Sequence, residues 1–468
     1  MSEKDFHWQR WPAADSFLHD RFQEVVARSG VLAEFVNRLE LITGTLLENW
    51  VDHLGVNGNR VSHEVLRELG YKPRRGEDSV PGRRIYVHPG ADLPNLVVNP
   101  SASADLPVCL SLAIRVESIA SFLEANGLEG QIQGYPLGPY RVVTFPGDSF
   151  EFQVVERRGY QGYELYPSSL ARLGQMTPQR ARNILEAKEL WQTRKRSWQG
   201  HDEAGFEHAA TRARQMIDLV GRDLACELAF EVEREYWQSR NQAARAQKLR
   251  QDQLGLGWAN HDHHTFRCSR RNFFRLISVL EMFGFQLREH FHAGQHAGWG
   301  AQILEQPVTG IVIFADLDLK PEEAETDFAH TSLEPLARPN TVGLWVALHG
   351  ESFLEAGMHH LEAQFSFDQA SSGLRDSAGI ETMKPFSDFP FLKQAFTRGE
   401  VWPVQSWRLD HAIDQGWITA DEAEKFRKEG AIGSHLEILQ RKEGYKGFNQ
   451  QAVSAILGEV DPRKVVLH

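Results

Sequence analysis

The chain has 468 residues, 41% hydrophobic and 24% charged, with a formal net charge of -12 and a pI near 5.9. That is globular composition, with length for roughly two to four domains and a sizeable core, and the acidic balance excludes the basic footprint of a non-specific nucleic-acid binder. There is no apolar run of about 18 residues to span a membrane, no signal-peptide pattern in "MSEKDFHWQRWPAADSF", and only three widely spaced cysteines, so a soluble cytoplasmic protein without disulfides or a Cys-based zinc site is expected.

Residues 13–50 carry apolar side chains at three-and-four spacing and read as amphipathic helix. Between 60 and 165 short alternating runs predict strands: "RRIYVH", "LVVNP", "VCLSLAIRV" and "YRVVTF". One helix interrupts them, "VESIASFLEANG", with Gly127 as its stop. Residues 168–255 return to long charged helices, opened by Thr177 and Pro178 as N-cap and first helical residue. Within them "QTRKRSW" (192–198) reads as a solvated helix face. From 258 to 350 the pattern is mixed, with "TGIVIFADLDL" and "VGLWVALHG" read as strands. "AGMHHLEAQFSFD" (356–368) alternates and reads as a strand carrying His359 and His360.

The two mixed regions resemble each other. "NWVDHLGV" (49–56) and "GWANHDHHTF" (257–266) both hold Trp and then Asp-His, each followed by a helix ending in Gly-aromatic. "PGDSFEFQVVERRGYQGY" (146–163) and "IGSHLEILQRKEGYKGF" (432–448) both run from small residues through apolar-Glu-apolar to Gly-Tyr-x-Gly-aromatic. The period is too long for a solenoid. The expected architecture is therefore α+β, with a first copy in 1–166, a helical connector in 167–256 and a second copy in 257–468.

Twenty histidines motivate a search for a metal. A non-haem Fe(II) site commonly uses two His and one carboxylate, with positions left open. The second copy has all the parts: Asp262-His263, the pair His359 and His360, and Glu437 between Leu436 and Ile438. Alternation puts His261 and His263 on one strand face and His264 on the other. The first copy keeps His53 and Glu151 at matching places but has no central histidine, and Asn57 stands where the second copy has Arg267. It reads as a degenerate, structural copy. His290, His292 and His296 read as a polar hairpin rather than a second metal site.

The strings "DHHTFR" (262–267), "MHHLEAQF" (358–365) and "GSHLEILQRKEGYKGF" (433–448) resemble the 2-oxoadipate dioxygenase/decarboxylase (hydroxyglutarate synthase) family, which is related in fold to vicinal-oxygen-chelate enzymes such as glyoxalase. The resemblance covers the second copy and weakly the first. It implies two glyoxalase-like copies of curved mixed sheet, and Fe(II) held by His263, His360 and Glu437. It also implies Arg267 as the clamp on a substrate carboxylate, suited by its bidentate guanidinium. The implied reaction uses O2 to decarboxylate and hydroxylate a 2-oxo acid. The chain departs from the family at His261 and His359, where Asn is expected. The aromatic-rich segment between His360 and Glu437 makes an aromatic or larger 2-oxo acid as reasonable as 2-oxoadipate. Two His and one Glu also hold Mn, Co or Zn. A metal-dependent lyase or isomerase, a ring-cleaving dioxygenase and a non-catalytic binding protein are the rival readings.

Overall fold

The computed structural model describes residues 8–74, 82–163, 176–292, 298–449, 452–453 and 461–463. The first amphipathic stretch folds as two helices, α1 (Pro12–Val26) and α2 (Gly30–Thr43), because the Ser29 side chain accepts from Leu32 N and caps a new helix. Gly44 ends α2 at φ 71°, where a Cβ would meet the Ala370 backbone at 2.7 Å.

A first sheet follows, built from β1 (Val51–Asn57), α3 (His63–Glu68), β2 (Lys72–Pro73), β3 (Arg84–Val87), β4 (Asn95–Asn99), β5 (Cys109–Arg115), α4 (Ile119–Asn126), β6 (Tyr140–Gly147) and β7 (Phe150–Arg157). Its strand order is β2-β3-β4-β1-β5-β7-β6. Four helices come next: α5 (Pro178–Gln192), α6 (Asp202–Val220), α7 (Arg222–Ser239) and α8 (Gln242–Asp252). The Thr177 side chain caps α5 and Pro178 opens it, as expected.

The second sheet comprises β8 (His261–Arg267), α9 (Phe273–Met282), β9 (Gln286–His292), β10 (Trp299–Glu305), β11 (Val312–Asp318), α10 (Thr341–His349), β12 (His360–Gln364), α11 (Phe367–Ala378), β13 (Ser387–Phe389), β14 (Leu392–Phe396), β15 (Glu400–Trp402), α12 (Ser406–Asp414), α13 (Ala420–Glu429) and β16 (Ala431–Arg441). Its order is β13-β14-β16-β12-β8-β11-β10-β9, with β15 beside β16. The molecule is thus α+β, with two mixed sheets separated by helices.

The duplication is nested. Within each sheet the first strand of one half pairs antiparallel with the first strand of the other, β1 with β5 and β8 with β12. Each of these also pairs parallel with the last strand of its own half. Every half is thus a strand-helix-strands unit closed by a parallel return strand. Apolar residues of α1, α2 and the first sheet form one core, and those of α5 to α8 with the second sheet form another.

Two readings of the sequence change. "VGLWVALHG" is helix α10, not strand. A short, largely apolar run fits either element, and here the residues are buried nearly all round. The "QTRKRSW" run is no solvated helix face. Arg194 is 4% exposed, and Arg194 and Arg196 both reach the fully buried Glu233 at 2.9 Å, which also accepts from Trp191 Nε1. His296 and the expected boundary at 166 and 167 lie outside the described residues. Among the described residues no helix is long and apolar enough to cross a membrane.

Glu233→Ala would leave two guanidinium groups without their shared carboxylate. A loss of about 3–5 kcal/mol in urea unfolding is expected.

Candidate metal centre

Strands β8, β12 and β16 lie side by side at the middle of the second sheet. Opposite residues on neighbouring strands share a face. His263, Glu362 and Glu437 form one such row, and Thr265, His360 and His435 the next. One ligand atom each from His263, His360 and Glu437 lies within 4.8 Å of the others, and all three residues are buried. Ligand atoms ~2.0–2.2 Å from one ion sit roughly 3–4 Å apart, so small adjustments close the set. The three residues could therefore hold a divalent metal.

The imidazoles are oriented for it. His263 Nδ1 lies 3.4 Å from Asp262 Oδ2 and 3.3 Å from Glu362 Oε1, leaving Nε2 for an ion. Arg441 donates to Asp262 Oδ1 and so fixes that carboxylate. His360 Nε2 is 2.8 Å from Thr265 Oγ1 and 3.0 Å from Glu437 Oε2, while its Nδ1 is 2.8 Å from His359 Nδ1. Gln394 Nε2 donates to Glu362 Oε2 at 2.9 Å and lies 3.4 Å from Glu437 Oε1. Asp262, His263 and Glu362 form a second close group, but Arg441 already occupies its Asp262.

The register explains why the ligand set has three members. The Leu361–His264 pair sits at the centre of the antiparallel β8–β12 ladder. The approximate twofold through it carries His263 onto His360. The same operation carries Glu437 onto Phe314, since Val312 pairs with His263 and His435 with His360. A phenylalanine cannot ligate, so the fourth symmetric position stays empty of protein donors.

The same accounting corrects the first copy. His53 corresponds to His263, Ser111 to His360, and Gln153, not Glu151, to Glu437. Glu151 falls two residues early because the two apolar-Glu-apolar strings are out of register. The Asp-His-Arg arrangement survives there: Arg157 donates to Asp52 at 2.6 and 2.8 Å, and His53 Nδ1 lies 2.7 Å from Asp52 Oδ2.

His261 does not share a face with His263. The β8–β12 register shifts between Glu362 and Ala363, breaking the alternation. The His261 ring instead lies 5.1 Å from that of His264, whose Nε2 is 3.4 Å from Arg234 Nη1. Neither joins the triad. Arg267 is 3% exposed and lines a cavity with the triad, Asp316 and six aromatic rings, Phe291, Trp299, Phe314, Phe386, Phe396 and Phe448. Its Nε has no hydrogen-bond partner, and Asp316 Oδ2 is 4.0 Å away. The cavity is small, near 50 Å³, so these walls must part for a substrate. A larger cleft of about 750 Å³ lies elsewhere, around Asp202, Arg270 and Trp407, and contains none of the triad.

Glu362, Gln394 and Asp316 were not singled out from the sequence. The alternation His360, Glu362, Gln364 in "HLEAQ" is the signal for Glu362: three polar side chains on one face of a strand whose intervening residues, Leu361 and Ala363, are fully buried.

Without a cation the charge does not balance. Burial and the neighbouring Glu362 push the Glu437 carboxyl well above its ordinary range. Burial alone would depress His263, but Glu362 and Asp262 outweigh it and lift the imidazole to about 9. Burial holds His360, like His261, His264 and His359, well below the ordinary range. A divalent ion would replace the protons on His263 and Glu437 and supply the missing charge.

No family model matches the chain, and no curated protein matches it in sequence. Solved structures show distant likeness. A triple mutant of 4-hydroxymandelate synthase from Streptomyces coelicolor matches over 88% of this chain and 97% of its own, at 13% identity and a TM-score of 0.25. A Mn(II)-bound glyoxalase from Novosphingobium aromaticivorans matches over 86% and 85%, at 9% identity and a TM-score of 0.20. Methylmalonyl-CoA epimerase from Mycobacterium tuberculosis covers 39% of this chain and 88% of its own, at 12% identity and a TM-score of 0.22. At these values no reaction, substrate or residue role passes to this chain.

The shifts fix a pH profile. The depressed histidines are neutral when folded, so below their unfolded value of 6.5 the unfolded state binds more protons and stability rises with pH. The raised His263 has the opposite sign: its contribution is complete below 6.5 and is lost as pH climbs through about 9. The raised Glu437 carboxyl loses its contribution in the same direction, so the metal-free protein should lose stability from pH 6.5 to 9, and the extra stability conferred by added Co(II) should grow over that range. Melting temperatures with and without Co(II) check both; a gap constant with pH would contradict the proton competition.

Proposed function

We propose that the protein is an Fe(II)-dependent dioxygenase that decarboxylates and hydroxylates a 2-oxo acid. His263, His360 and Glu437 would be the metal ligands, and Arg267 the clamp on a substrate carboxylate. One observation carries the reading. The three ligand side chains open onto an aromatic-lined cavity that also contains a buried guanidinium, while the symmetric fourth ligand position is Phe314. Two imidazoles and one carboxylate with open positions suit non-haem iron.

When bound, the iron would supply the redox chemistry that couples O2 to loss of CO2 and hydroxylation of the shortened acid. The chain does the rest. Burial lowers the Arg267 guanidinium only to about 10, so it stays charged at neutral pH. Burial raises Asp316 to about 7, so its nearby carboxyl is only partly ionised and does not cancel that charge. Arg267 can thus receive an anion by charge-assisted hydrogen bonds. The six aromatic rings keep water out and favour an apolar or aromatic body on the substrate. Arg267 is the sole Lys or Arg side chain lining the cavity among the described residues, and so the one cation there for a substrate carboxylate.

Iron-loaded protein should consume O2 and release CO2 stoichiometrically with an aromatic 2-oxo acid or with 2-oxoadipate. His263→Ala, His360→Ala and Glu437→Ala should each lose the iron. Arg267→Met should keep it and raise KM roughly 10–100-fold. A lyase or isomerase on the same ligands would turn over without O2. Metal content unchanged in His263→Ala would end the reading.

A further inference from the structure

The two sheets offer an internal comparison. At the centre of each, the first-strand Asp-His and the last-strand Arg coincide: Asp52, His53 and Arg157 against Asp262, His263 and Arg441. These are common to a copy with the triad and a copy without it, and serve the fold of both. The central rows differ at five positions, among them Gly55, which becomes Thr265, and Glu151, which becomes His435. Ser111 becomes His360 and Gln153 becomes Glu437, the proposed ligands. Ala113 becomes Glu362, to which the ligand reading gives no role.

Glu362 is fully buried, and its Oε1 has no hydrogen bond of good geometry. A carboxylate buried this fully is costly even with His263 and Gln394 beside it, and needs a reason to persist. It does not line the aromatic cavity but a separate one of about 170 Å³, with Asp262, Gln364 and Arg441. Its two oxygens face the two sides of the ligand set. Oε1 lies 3.3 Å from His263 Nδ1, and Oε2 accepts from Gln394 Nε2, which also approaches Glu437. Partners that hold the far nitrogen of a metal-bound imidazole set its tautomer and strengthen it as a ligand.

We propose that Glu362 is a positioning residue of the metal centre, holding His263 by Nδ1 and Glu437 through Gln394. The inference rests on His263 and Glu437 being ligands. In the first sheet, where there is no triad to position, alanine fills the place.

The test uses full-length protein stripped of metal, with Co(II) as probe, in Glu362→Ala, Glu362→Gln and His263→Ala. Ala113 shows that alanine is accommodated at this point of the fold. Glu362→Ala gives up the pairing with His263 but also the repulsion of Glu437, so the metal-free variant should resist urea nearly as well as the parent. Its Co(II) affinity should fall about 10–100-fold, with a shift in the cobalt absorption bands. Glu362→Gln keeps the shape and an acceptor oxygen but not the charge, and should fall in between. A residue that merely supports the fold would lose stability along with affinity. Affinity within about twofold of the parent in both variants, or urea stability lost in step with affinity in both, overturns the proposal. If His263→Ala loses the metal while both Glu362 variants keep it, the positioning role alone fails. If His263→Ala keeps it, the ligand reading fails and takes this inference with it.

Discussion

Glu362 and Glu437 stand opposite each other on adjacent strands in a part of the second sheet that water does not reach. Two carboxylates in such a place cannot both ionise unless something positive is brought to them. The local structure follows from that demand. His263 leans between Glu362 and Asp262, Arg441 is drawn onto Asp262, and Gln394 turns its amide toward both glutamates. These partners reduce the cost without removing it, and the raised Glu437 carboxyl is the remainder. A divalent cation between His263, His360 and Glu437 would complete the balance.

The scaffold makes that convergence cheap. Two strand-helix-strands units meet through the antiparallel β8–β12 pair, and the approximate twofold brings His263 and His360 together across it. One unit adds Glu437 from its return strand, and the other adds Phe314. Symmetry therefore supplies the two imidazoles, and a single departure from symmetry opens the coordination sphere toward the cavity. The first sheet repeats the framework with Ser111, Gln153 and Ala113 at its centre, and there His53 simply bonds to Asp52. It is a control within the same chain for what the fold requires and what the site adds.

Much of this was legible in the residues. A Trp shortly before Asp-His marks the first strand of each copy and Gly-Ser-x-apolar-Glu the return strand of the second, and comparing the two copies selects His263 from its neighbours. Other features were not, for identifiable reasons. The bulge that turns His261 toward His264 is a property of the β8–β12 register, which strict alternation cannot foresee. Glu151 looked like the counterpart of Glu437 because string matching ignores register, and pairing moves the equivalence to Gln153. The largely apolar "VGLWVALHG" carries no period to separate strand from helix. The arginines of "QTRKRSW" looked solvated because their partner, Glu233, lies more than thirty residues away.

The central claim is that one ion sits among His263, His360 and Glu437. Diffraction from crystals of the iron-loaded protein, collected at the iron absorption edge, tests it most directly. The account predicts a single anomalous peak within ~2.0–2.3 Å of one nitrogen of each histidine and of the Glu437 carboxylate. A peak among Asp262, His263 Nδ1 and Glu362 instead, or no peak at the β8–β12–β16 junction, would contradict it.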